Sequence, residues 1–228
     1  MSHASNAVPK KRTFLRNSAI GLALAGLLAV ALVPTFSGFT ASINNSNNTI
    51  GSGTLTMSET KDAVTCLSSA AGTVTAANAG TCSTINKFGG ATAVYPGGPI
   101  SSTTVNIRNT GTTPANTFTL TPAGCVQANN GTINGAATDF CSKVNITIDD
   151  VTGGTCVFPA AAVPCAAAPT NAGTLATLGT SAIALKVPMA PNDTRAYKFN
   201  LQLDGGAGTT NAYQGLAATE ALLWSFAS

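Results

Sequence analysis

Histidine is almost absent from this chain of 228 residues: the single one, His3, precedes the first apolar run. Without imidazole the body of the protein carries no Ser-His-Asp or Cys-His arrangement, no H-E-x-x-H zinc helix and no histidine general base. Charge is scarce too, at 8% of residues, and aromatics make up 6%. Together with 44% hydrophobic residues, this excludes intrinsic disorder, which combines low hydrophobicity with high net charge, and coiled coil, which needs abundant Glu, Lys and Leu. The formal charge of +3 comes from Lys10, Lys11, Arg12 and Arg16; from Ser42 onward seven Lys and Arg face eight Asp and Glu, a net of −1. The body therefore lacks a basic footprint, and no nucleic-acid partner is expected. A phosphate-cradling motif is missing as well: Asp204-Gly205-Gly206-Ala207-Gly208 has no G-x-x-x-x-G-K-[ST] pattern and reads as a hairpin or loop.

What the chain does have begins with a leader. Lys10 to Arg16 is basic, and Ala19 to Val33 is a fifteen-residue apolar run that ends at Pro34. A bilayer-spanning helix wants roughly 20 residues, so basic flank, short apolar core and small residues predict an export signal over 1–41, with a retained anchor as the alternative. Ala41 suits the cut, while Phe39 departs from the A-x-A pattern; the mature chain is taken to start near Ser42. All six cysteines follow: Cys66, Cys82, Cys125, Cys141, Cys156 and Cys165. An even number in an exported chain predicts a disulfide framework, and the spacing favours sequential pairing among the 15 connectivities. No C-x-x-C pair or zinc spacing occurs, and no cofactor or metal is expected.

The acids Glu59, Asp62, Asp139, Asp149, Asp150, Asp193, Asp204 and Glu220 are scattered. They could supply a catalytic carboxylate pair or a minor calcium site, but surface solvation explains them better. Period-two alternation is the dominant pattern. Arg195 to Asp204 places Tyr197, Phe199, Leu201 and Leu203 on one face, and Ile183, Leu185 and Val187 precede it across a Pro/Asn/Asp turn as a neighbouring antiparallel strand. Val105 and Ile107, Phe118 and Leu120, Val144 to Ile148, and Leu222, Trp224 and Phe226 mark further strands. Gly/Pro/Asn loops separate them, which predicts an all-β, jelly-roll-like antiparallel sandwich over 42–228, preceded by the leader helix and a flexible segment 42–53. Thr and Asn supply 48 of the 187 residues after Ala41, giving a neutral hydroxyl-rich surface that suits a packed coat or matrix, and that also suits sugars.

Two stretches resemble the TasA/camelysin family of exported bacterial proteins. Ser42-Ile43-Asn44-Asn45 and then Ile50-Gly51-Ser52-Gly53-Thr54-Leu55-Thr56-Met57 look like the family's S-G-T-L-x-[LM] opening strand after a leader handled by a SipW-type signal peptidase. Asn211-Ala212-Tyr213-Gln214-Gly215, followed by Leu222 to Phe226, is similar to the closing N-x-Y-Q-G segment and last strand. Pro96 to Leu120 occupies the place of the second and third strands. The resemblance implies a secreted jelly roll at the cell surface or in a biofilm matrix, self-associating into fibres as each subunit's N-terminal segment adds as a strand to its neighbour. The donor region would be Ser42 to Gly53 with the following strand, carried by Ser42, Ile43, Ile50, Gly53, Leu55 and Met57; the alternative is an ordinary first strand in its own sheet. Some camelysin-like members are described as metal peptidases, a property not carried over to a body without histidine. The competing reading is a monomeric adhesion or carbohydrate-binding module for cell-surface polysaccharide using exposed tyrosines such as Tyr95 and Tyr213, with Tyr197 and Trp224 buried. An enzyme acting through carboxylates alone is the third.

Overall fold

The computed structural model describes residues 49–69, 78–90, 94–166, 168, 169 and 173–228. Its contacts divide the chain into Met1–Gly51 and Ser52–Ser228. The expected leader, with Ser42 and Ile43, lies outside the described residues. No helix among the described residues is long and apolar enough to cross a membrane.

The second unit is the expected all-β sandwich. Its larger sheet contains β1 (Met57–Lys61), β2 (Val64–Leu67), β3 (Ser101–Asn109), β6 (Val144–Asp150), β7 (Thr155–Phe158) and β9 (Thr194–Leu203), in the order β2-β1-β3-β9-β6-β7. The facing layer holds β4 (Thr117–Pro122), β8 (Ile183–Ala184) and β11 (Leu222–Ala227) in the order β11-β4-β8, with β5 (Val126–Asn129) paired to β10 (Leu216–Thr219). Every pairing is antiparallel. The only α-helix described, α1 (Leu175–Leu178), is a single turn closed by a Thr174/Thr177 capping box.

Alternation decides which face each strand buries. In β3 the burial pattern switches residue by residue, with Val105 and Ile107 fully inside, and β9 places Tyr197 and Phe199 beside them. From the other layer Phe118 of β4 meets Tyr197 edge to face at 5.8 Å, and Trp224 of β11 lies 5.1 Å from Tyr197 and 6.3 Å from Phe199. Five of the ten aromatic residues described thus meet in one inter-sheet cluster, where each ring contributes both area and edge-to-face attraction.

One strand expectation is corrected. Ile183 to Val187 does not neighbour β9; β8 is two residues long and pairs with β4 across the sandwich. Both edges of β9 are taken, by eight residue pairs with β3 and seven with β6, so the connection must cross layers. Beyond β8 the chain keeps running beside β4, with Leu185 N–H donating to Phe118 O and Ala115 and Met189 exchanging backbone bonds. Buried Asn109 clamps that crossing: its Nδ2 donates to Thr113 O and Met189 O, and its Oδ1 accepts from Gly111 N–H.

Candidate functional site

The three disulfides join Cys66 to Cys82, Cys125 to Cys141 and Cys156 to Cys165, the sequential pattern the spacing favoured, with no free cysteine described. Such a framework fits an oxidising, extracellular environment. Most described acids are used structurally. Asp150, 2% exposed by its side chain, pairs with Arg195 at 2.8 Å and also holds Gly153 N–H; Glu59 pairs with Lys87 at 2.8 Å. Asp149 accepts from Cys165 N–H, Asp193 from Ala190 N–H and Asp204 from Gly206 N–H.

The expected donor residues fall into two groups. Ile50 is fully exposed, and Gly53 lies against Thr113. Leu55 packs against the core and Met57 opens β1, opposite Asn109 of β3. Thr54 and Thr56 carbonyls accept from Thr112, Thr113 and Thr110, so this stretch is bound into the chain's own sheet. A segment handed to a neighbour would therefore lie upstream of Thr54.

The feature sequence reasoning missed is the other side of such a contact. β10 and β11 run consecutively, and among the described residues each has a strand partner on one side only. Phe118 O accepts from Leu185, so Phe118 faces β8. The antiparallel alternation then turns Thr117, Thr119 and Thr121 toward β11 and leaves the N–H and C=O groups of Leu222, Trp224 and Phe226 on the open edge. The opening borders a groove of about 470 Å³ whose opposite wall is Leu55, Met57 and the Cys66–Cys82 disulfide, with the Glu59–Lys87 pair also in its lining. Leu223 on this strand is 60% exposed. Natural open edges are usually blunted by lysine or proline; Leu216–Ala227 carries neither, and its single charge is Glu220.

Glu220 sits where the ladder slips. Between the β4/β11 and β5/β10 pairings three residues, Ala123 to Cys125, oppose two, Glu220 and Ala221, and Gly124 absorbs the bulge at φ +89°. Both Glu220 carboxyl oxygens are closed off from solvent without a well-formed hydrogen bond. Burial pushes the carboxyl up from 4.5 to about 7, with partial relief from the Gly124 N–H.

Beyond the bulge a second, larger opening of about 750 Å³ lies between the layers, reaching from Leu201 and Leu203 of β9 to β10. Tyr95 and Tyr213, distant in sequence, line it together with Phe88. No protein-family model matches the chain, and no curated protein matches it.

Proposed function

We propose that the chain is a secreted structural protein, a subunit of an extracellular or cell-surface fibre or matrix related to the TasA/camelysin proteins, and that it assembles by donation of a β-strand. The observation that carries this reading is the unblunted edge of β10 and β11 beside its groove. An extended segment laid there gains main-chain hydrogen bonds from Leu222, Trp224 and Phe226 and covers Leu223, which is the energetics of strand addition. The donor is the polar, glycine-bounded stretch 42–53 of a second copy, including Ser42, Ile43, Ile50 and Gly53. Leu55 and Met57 remain in their own sheet and anchor it.

The test is electron microscopy and sedimentation of the mature protein at rising concentration, beside a variant lacking Ser42 to Gly53 and a Leu222→Pro variant. Proline at 222 removes a donor that points away from β4 while leaving the β4 bonds in place. Polymers from the parent, and none from either variant, are expected while melting temperatures show both variants folded. Monomers from the parent at every concentration would end the proposal.

A further inference from the structure

We infer that the cleft between Tyr95 and Tyr213 is a binding site for an uncharged saccharide chain, separate from the strand edge of β11. Three features of the cleft lead there.

The first is how Tyr95 is presented. Tyr95-Pro96-Gly97-Gly98 is a type II turn, with proline second, Gly97 third at φ +66° and Gly98 N–H donating to Tyr95 O. Gly97 N–H also donates to Leu203 O, and Gln202 Nε2 donates to Gly98 O, bolting the turn to β9. A 62% exposed tyrosine on so rigid a support keeps aromatic surface in water at a cost that its own packing does not repay. Tyr213 is fixed from behind, with the Lys143 ammonium 5.8 Å from its ring centroid and Asp139 accepting its hydroxyl, which raises its ionisation above the ordinary value.

The second is charge. Among the described residues no Asp, Glu, Lys or Arg lines the cleft. Behind Tyr213 the Lys143 ammonium is offset by Asp139 at 4.0 Å, so an anionic polymer or charged peptide finds no unbalanced counter-charge in the lining, and a neutral ligand loses nothing by entering.

The third is the polar complement. The lining is rich in side-chain amides, and three of them are held in place by two bonds: Asn86 Oδ1 accepts from Phe88 N–H, and Asn211 Oδ1 accepts from Gln214 Nε2. The amide NH₂ groups of Asn86 and Asn211 and the Gln214 carbonyl then remain to pair with groups that both donate and accept, as sugar hydroxyls do. Ring faces for the C–H side of a pyranose and fixed amides for its hydroxyls, within a volume typical of ligand sites, are the chemistry of a neutral saccharide. A peptide strand would instead be recognised chiefly through main-chain edges.

The experiment is affinity electrophoresis of the mature protein, disulfides intact and dilute, in gels containing laminarin, hydroxyethylcellulose or dextran as neutral probes and alginate as the anionic one. Retardation by at least one neutral polymer and none by alginate is expected. Tyr95→Ala should weaken that binding about tenfold or more, the scale of one lost aromatic contact, with an unchanged melting temperature, while the edge variant Leu222→Pro binds like the parent. Unaltered mobility in all three neutral gels, retardation by alginate alone, full binding by Tyr95→Ala, or displacement of the polymer by a synthetic peptide of residues 42–53 would each overturn the assignment. Because Leu222→Pro blocks assembly and not this cleft, failure of the fibre reading leaves the outcome here distinguishable.

Discussion

At Glu220 a carboxyl group is turned inward where the ladder of the second layer slips, and the consequence is a stability that depends on pH. Its folded-state value lies above the unfolded one, at about 7 against 4.5, so the folded protein holds the proton more tightly. The contribution is complete below about pH 4.5 and is lost as pH rises through 7. The residue is only partly buried, so solvent screening reduces the effect to about 1 kcal/mol. Thermal unfolding of the parent should show a melting temperature falling between pH 5 and 8, and Glu220→Gln should flatten that slope. Arg195 is the opposite case. It neutralises Asp150 at 2.8 Å, with side-chain exposures of 16% and 2%, and Tyr197 nearby has its phenol pushed up by burial first and by Asp150 second. Arg195→Met strands a buried carboxylate; urea unfolding should register a loss of about 3 kcal/mol.

Among the elements, β7 and β11 show two ways of treating an edge. β7 is covered: Cys156 N–H donates to Ala161 O and Val163 O, and Ala161 N–H donates back to Cys156 O. The Cys156–Cys165 disulfide closes that cover. Replacing both cysteines by serine should cost about 2–3 kcal/mol in thermal unfolding and release the 161–163 backbone to hydrogen exchange ahead of the sheet. β11 is left open, with Leu223 outward and no lysine or proline along it. The bulge between the two openings depends on Gly124, since its φ of +89° lies where a side chain is strained. Gly124→Ala should cost about 1 kcal/mol or more, with the β5/β10 pair losing amide protection first.

For the whole molecule, stability rests on the contact between layers. Phe118 touches Tyr197, Trp224 and Phe226 at centroid distances of 5.8, 5.8 and 4.7 Å, and is 1% exposed. Phe118→Ala should cost about 3–5 kcal/mol, and near- and far-ultraviolet dichroism should lose signal together, because neither sheet keeps a dry face alone. Closing the sandwich also creates both openings: one where, among the described residues, the facing layer has no further strand beyond β11, the other where the 95–98 turn and the 211–215 segment stand apart.

Much of this was legible in one dimension. The alternation of Val105 and Ile107, of Tyr197 to Leu203 and of Leu222 to Phe226 named the buried faces, because a strand's two faces are set by neighbours two residues apart. Even cysteine number and short spacings gave the pairing. The 183–187 segment was misplaced because periodicity says which side is apolar and not which strand lies alongside; that depends on β3 and β6 having already taken the edges of β9. For the same reason no local pattern showed that β11 would end its layer, or that Tyr95 and Tyr213 would face one cleft. Chain-distant pairing decides those, through the free energy of filling one shared core.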